Sequence, residues 1–125
     1  MKNNDLIVKH INGTIWKVVK KLTYITSLFD IIEVPENFIT DFASIPRIFW
    51  TIFGHPAGEY APAAVIHDYL YYTQIYTRKK SDQIFLEAMK YYGVAAWKRI
   101  IMYRAVRWFS WIGWKMYKRE NEKNA

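Results

Sequence analysis

The sequence predicts an α+β fold: a small N-terminal antiparallel β-meander packed against about three C-terminal α-helices. Two patterns carry that expectation. Up to residue 40, runs rich in Ile, Val, Thr, Tyr and Trp alternate with turn residues. From residue 62 onward, apolar residues return every three or four positions, between residues that suit helix ends. A third observation sizes the core: 52% of the 125 residues are hydrophobic and 18% aromatic, enough to fill an ordinary core without covalent staples. No repeat or Gly/Ser/Pro-rich linker divides the chain. Residues 1–120 are read as one domain and residues 121–125 as a flexible tail.

Taken in order, residues 6–11 form a first strand, and Asn12-Gly13 forms its hairpin turn, a pair that accepts the positive φ such turns demand. Residues 14–26 read as a long second strand with one wet face. Residues 31–34 make a third, ending at Pro35, and residues 38–40 a last short one after a Glu36-Asn37 turn. Pro46 fixes φ and removes a donor, so no long regular element crosses residues 41–50. Pro62 opens the first helix, expected over residues 63–72. That segment is apolar nearly all round, which marks a helix buried on most sides. Its ionisable groups, tyrosines apart, are His67 and Asp68.

The second helix is expected over residues 78–92, with Thr77 as N-cap and Gly93 just past its end. Phe85, Leu86 and Met89 define its apolar face, and Asp82 falls on that same face. Lys79, Lys80, Gln83, Glu87 and Lys90 take the water-facing positions. The third helix is expected over residues 95–116. Trp97, Ile101, Ala105, Trp108 and Ile112 form its core stripe, Arg99, Tyr103, Arg107 and Ser110 lie opposite, and Gly113 weakens or ends it.

Composition excludes several classes. There is no cysteine, which removes disulfides, iron–sulfur clusters and thiolate zinc sites. The first residues carry no apolar stretch of the kind a secretory signal needs. No uncharged apolar run reaches the ~18 residues of a spanning helix; the best candidate, residues 95–114, is interrupted by Lys98, Arg99, Arg104 and Arg107. The formal charge is +7. From Lys98 through Arg119, seven cations meet no acid before Glu120. The basic C-terminal helix therefore suits an anionic partner (nucleic acid, lipid headgroup or acidic protein) or is an ordinary solvated face. Six Trp and ten Tyr offer stacking surface, although aromatic residues at helical spacing are usually core. Trp111 and Trp114 lie off the main stripe and are the candidate contact residues.

Polarity in apolar surroundings is the informative signal. Asp41 and Ser44 sit in an apolar stretch, His67 and Asp68 interrupt an apolar helix, and Asp82 occupies a core face. Burying an unpaired carboxylate costs several kcal/mol, so Asp41, Ser44, Arg47, His67, Asp68 and Asp82 are expected to meet. One reading is structural: caps and buried ion pairs, with Asp82 closing on Arg47 or His67. The other is catalytic. Asp41, Ser44, His67 and Asp68 are the candidate catalytic groups, with His67 as general base and its pKa raised by the carboxylates. Arg47 and Asp82 are candidate binding groups. Asp41, His67, Asp68 and Asp82 form an oxygen-rich set suited to a divalent metal. A Ser44–His67–Asp triad lacks the G-x-S-x-G elbow, and no Walker loop, dinucleotide fingerprint or H-E-x-x-H is present.

Residues 34–47, Val-Pro-Glu-Asn-Phe-Ile-Thr-Asp-Phe-Ala-Ser-Ile-Pro-Arg, resemble the V-P-x-x-F-x-T-D-F-A-S-x-P-R signature of the domain of unknown function 1353 family. Residues 63–71 match its A-x-x-x-H-D-Y-L-Y segment, and residues 78–89 are similar to its R-x-x-x-D-x-x-F-x-x-A-M segment. The resemblance covers about residues 10 to 114. It implies a bacteriophage or prophage origin and supports Asp41, Ser44, Arg47, His67, Asp68 and Asp82 as the shared polar set. It supplies no activity. The expectations that follow are a virion or tail component, or a host-interaction factor with a phage or host protein as partner, in the bacterial cytoplasm or the virion. The alternative is a small hydrolase of cell-wall or phosphoester bonds.

Overall fold

The computed structural model describes residues 5–13, 15–40, 51 and 60–124. Among these, strands β1 (Val8–Asn12), β2 (Ile15–Val18), β3 (Leu22–Ile25), β4 (Ile31–Val34) and β5 (Ile39–Thr40) precede all four helices, an α+β arrangement. β1 and β2 pair antiparallel across Asn12-Gly13, with Gly13 at φ +48°. The His10 ring donates to the Gly13 carbonyl at 2.7 Å. β5 joins the other edge of β2, opposing Thr40 to Trp16, while β3 and β4 form a separate antiparallel pair.

The expected second strand is thus cut in two, and the meander becomes two sheets. Val18 marks the division: its N–H donates to Phe38 at 2.9 Å and its carbonyl accepts from Asn37 at 2.7 Å. Beyond it, Lys20 and Lys21 are both exposed. Consecutive strand residues face opposite sides, so a straight strand would drive one lysine into the core. A bend at the pair keeps both wet and lets Lys21 reach Glu33 at 3.6 Å.

Helix α1 (Ala61–Thr73) carries Pro62 in its first turn, and nine of its residues are buried, from Ala61 to Tyr71. Gln74 closes it in the left-handed region at φ +52°. Helix α2 (Arg78–Tyr91) is capped by Thr77, whose hydroxyl accepts from the Lys80 N–H at 3.1 Å. It ends in a Schellman arrangement: Gly93, at φ +88°, donates to Lys90, and Val94 donates to Met89 at 2.9 Å.

The expected third helix is two, α3 (Ala96–Phe109) and α4 (Trp111–Asn124). The division falls at Ser110 (φ −79°, ψ −1°), not at Gly113. Ser110 turns its hydroxyl back onto the Val106 carbonyl, a bond that loosens the ladder and bends helices. The two helices join directly at this residue: Ser110 donates to Val106 at 3.0 Å and Trp114 donates to Ser110 at 3.1 Å. α4 continues through residues 121–124, expected as tail, and the Asn121 amide donates to the Tyr72 carbonyl.

The face of this helix pair is inverted relative to expectation. Met102, Ala105 and Val106 are buried, whereas Trp97, Ile101, Trp108 and Ile112 are 58, 42, 74 and 53% exposed. Only Ala105 of the expected stripe reaches the core. Tyr103 and Arg107 turn inward instead, and Ser110 is buried. The segment is apolar on both sides, so periodicity locates two faces without saying which one packs; the polar cluster below decides it. One continuous core unites Val18, Leu22, Tyr24, Ile32 and Val34 with Ile66, Leu70, Phe85, Met89, Met102 and Val106.

Candidate functional site

On α1, His67 and Tyr71 lie one turn apart and project from the same face. That face meets α2 at Asp82, which sits on the apolar side of its helix beside Phe85. Asp82 Oδ1 accepts from His67 Nε2 at 2.6 Å and from the Tyr71 hydroxyl at 2.5 Å. Oδ2 accepts from Arg107 Nη1 of α3 at 2.6 Å, with Arg78 Nη1 of α2 at 3.7 Å. Ser110 Oγ stands 2.6 Å from the Tyr71 hydroxyl. The His67 ring packs between Tyr71 and Phe85, with centroids 4.2 and 4.7 Å away. His67 and Asp82 are wholly buried, while the two arginines reach in from the surface.

The protonation states follow from this geometry. Burial alone would raise the Asp82 pKa, but the donors of His67, Tyr71 and Arg107 outweigh it and hold the carboxyl below its usual range. Burial also drives the His67 pKa down, against the pull of Asp82 and with help from Arg78; the rise expected from neighbouring carboxylates is overcome. Burial and the adjacent carboxylate push Tyr71 well above an ordinary phenol. Near neutrality the cluster therefore holds an ionised Asp82, a neutral His67 and a protonated Tyr71. Since Asp82 accepts from Nε2, the His67 proton resides there. Nδ1 is left as a bare lone pair, with no hydrogen-bond partner among the described residues.

Asp68 belongs to a second anchor. Adjacent helical residues diverge by ~100°, so Asp68 leaves α1 in another direction. Its Oδ2 accepts from the Thr40 hydroxyl of β5 at 2.7 Å, and Oδ1 from the Tyr117 hydroxyl of α4 at 3.1 Å. Tyr117 also lines an open groove of about 580 Å³ with Phe38, Tyr69, Tyr72 and Glu120.

Of the expected polar set, His67 and Asp82 meet and Asp68 is engaged separately. Asp41, Ser44 and Arg47 lie outside the described residues. Among the described residues, no three His, Asp or Glu side chains gather as a metal-ligand group. Trp111 is 46% exposed, with Lys115 Nζ 4.9 Å from its ring. Trp114 is half-buried: its ring packs edge-on against Tyr71 at 5.1 Å, and its carbonyl accepts from Gln74. Sequence reasoning missed Tyr71, Arg78, Arg107, Ser110, Thr40 and Tyr117. Two of them carried a signal, because Tyr71 lies four residues after His67 and Arg78 four before Asp82, the spacing at which helix side chains meet.

The fold and its site define an α+β protein in which three helices converge on one buried carboxylate. The chain belongs to the DUF1353 family, described as protein of unknown function, whose model matches residues 16–106. That match takes in both anchors on α1 and α2 and stops one residue short of Arg107. The chain is also similar to an uncharacterized protein, y4jT, of Sinorhizobium fredii, at 43% identity over 74 residues, 58% of this chain and 22% of that protein. It therefore spans less than a quarter of that relative's length. No solved structure matches it.

Proposed function

We propose that this chain is a non-catalytic contact protein of phage or prophage provenance, a virion or tail component or a host-interaction factor, in which the Asp/His/Arg cluster is a structural latch. Asp82 carries the proposal. It is a carboxylate of α2 shut off from solvent, with both oxygens engaged by donors from α1 and α3. A carboxylate so enclosed is closed to a substrate and instead fixes α1, α2 and α3 against one another. The provenance rests on the motif resemblance of residues 34–47, 63–71 and 78–89. Equilibrium unfolding of Asp82→Asn tests the latch: loss of one partner of a buried pair is expected to cost about 3–5 kcal/mol. An Asp82→Asn protein as stable as the wild type, from a wild type that turns over a peptidoglycan fragment or phosphoester, would overturn it.

A small hydrolase of cell-wall or phosphoester bonds is the second reading, and one observation favours it. His67 Nδ1 is buried, neutral and without a partner among the described residues, and such an atom calls for an explanation. With Asp82 orienting the Nε2 side, Nδ1 has the protonation state of a general base. Asp41, Ser44 and Asp68, with or without a divalent metal, complete the set in this reading. It expects His67→Gln, whose amide still donates to Asp82, to abolish turnover while moving Tm little. A wild type inactive on both substrate classes excludes it.

A further inference from the structure

The helix pair α3–α4 presents an outward face that nothing in the core explains. α3 and α4 follow head to tail through Ser110, and positions along both are counted at 100° per residue. On that count Trp97, Ile101, Trp108, Trp111 and Ile112 share a face about 100° wide. They are 58, 42, 74, 46 and 53% exposed. The opposite side is fully occupied: Met102, Val106 and Ser110 are buried, and Trp114 and Tyr117 pack on Tyr71 and Tyr72. Three cations, Arg104, Lys115 and Arg119, fall within the apolar face itself and are exposed. No acid occurs between Glu87 and Glu120, and the first acid on this face is Glu122, at its far end.

We infer that this face docks on the surface of an anionic lipid bilayer. The inference rests on the contact-protein proposal and names its partner. A helix with indole and aliphatic side chains on one face, interleaved with Lys and Arg, lies in the headgroup region with its apolar groups sunk into the acyl boundary. The long cationic stems extend past that boundary and keep their charges at the phosphates. No helix among the described residues is long and apolar enough to cross a membrane, so the contact lies along the surface. Charge selects this occupant over a second copy of the chain. An isologous contact would set Arg104, Lys115 and Arg119 against their own equivalents. Ile101 and Ile112 on one side of the face have no counterpart in the phosphate and base chemistry of nucleic acid.

The test is flotation of the full chain with vesicles of phosphatidylglycerol and phosphatidylcholine, or of phosphatidylcholine alone, read with tryptophan emission. Binding to the anionic vesicles is expected, at least tenfold tighter than to neutral ones and weakened by salt, with a blue-shifted emission. The pair Trp108→Ser/Ile112→Ser is expected to weaken it about tenfold or more, as is the charge reversal Arg104→Glu/Lys115→Glu. All four positions are exposed, so an unchanged Tm certifies that each variant folds. Absence of binding to anionic vesicles, or binding indifferent to both pairs, overturns the inference. A dimer in light scattering that Trp108→Ser/Ile112→Ser converts to monomer assigns the face to a second copy and also overturns it. Salt-sensitive binding to nucleic acid without any to vesicles does the same. Those failures leave the Asp82 stability test standing, whereas catalytic turnover would remove the contact-protein proposal without touching vesicle binding.

Discussion

Asp82 meets two arginines at different distances, and the difference has an energetic consequence. Arg107 Nη1 makes a charge-assisted bond at 2.6 Å to a buried oxygen, while Arg78 Nη1 stands off at 3.7 Å and also donates to the Arg107 carbonyl. A hydrogen bond to a charged group contributes about 1.5–3 kcal/mol, and a looser, partly exposed ion pair less than about 1 kcal/mol. Arg107→Ala is therefore expected to destabilise more than Arg78→Ala by at least about 0.5 kcal/mol in urea unfolding. Equal losses would mean that Arg107 is not the principal counter-charge. The pH dependence follows from His67, whose pKa is lower in the folded state than its ordinary value near 6.5. Below that value the unfolded chain binds a proton that the folded chain refuses, so stability falls as pH falls. Asp82, also depressed, adds to the loss further into acid. Tm should decline from pH 7 to 5, and His67→Gln should flatten that decline; a wild-type Tm level over this range contradicts the buried neutral imidazole. The sequence allowed the His67–Asp82 pairing to be foreseen, because an ionisable group on an apolar face must find another. Arg107 was not legible, since a cation on a two-sided apolar helix looks solvated until its neighbours are known.

The helices show how far local pattern reaches. Thr77, Gly93 and Pro62 act through backbone donors, φ angles and first-turn geometry that depend on no other element, and each lies at the helix end its chemistry predicts. The orientation of α3 and α4 depends on partners twenty-five or more residues away in sequence, Asp82 of α2 for α3 and Tyr71 of α1 for Ser110 and α4, and the sequence pattern held no information about which apolar side those partners would choose. Gly113 makes the same point at the level of one residue. Read locally it is a helix breaker; in the fold it lies within α4, and a Cβ built on it would meet nothing within 4 Å. With space available and helical backbone already adopted, the entropy lost by fixing glycine is the remaining effect. Gly113→Ala should raise stability by about 0.5–1 kcal/mol, measured as an increase in urea midpoint without a change in slope. A destabilised variant would show that α4 packs more tightly at this point than its geometry indicates.

At the level of the molecule, the join between the strands and the helical layer rests on a residue that reads as surface. Glu87 sits among the water-facing positions of α2, yet it accepts from the Tyr24 hydroxyl at 2.8 Å, the Ser27 N–H at 2.7 Å and the Ser27 hydroxyl at 3.0 Å. These bonds fasten the β3–β4 hairpin to the helix that also carries Asp82, and Lys80 adds a peripheral pair with Asp30 at 3.3 Å. Tyr24 is itself buried, and burial together with the Glu87 carboxylate drives its pKa far up, so the phenol stays a donor throughout the physiological range. Removing the carboxylate would leave that donor unpaired beside the core, at a cost of about 1–3 kcal/mol. Glu87→Ala should therefore lower stability by that amount, although its helix propensity is favourable. The core runs without interruption from Val18 and Leu22 to Met102 and Val106, so unfolding should remain a single transition followed equally by tryptophan emission and by circular dichroism. Amide exchange should quicken first over residues 22–34, where the hairpin has lost its tether. Two separated transitions, or exchange unchanged in that hairpin, would show that the strands are held by apolar packing alone and that Glu87 is the solvated residue its sequence position suggests.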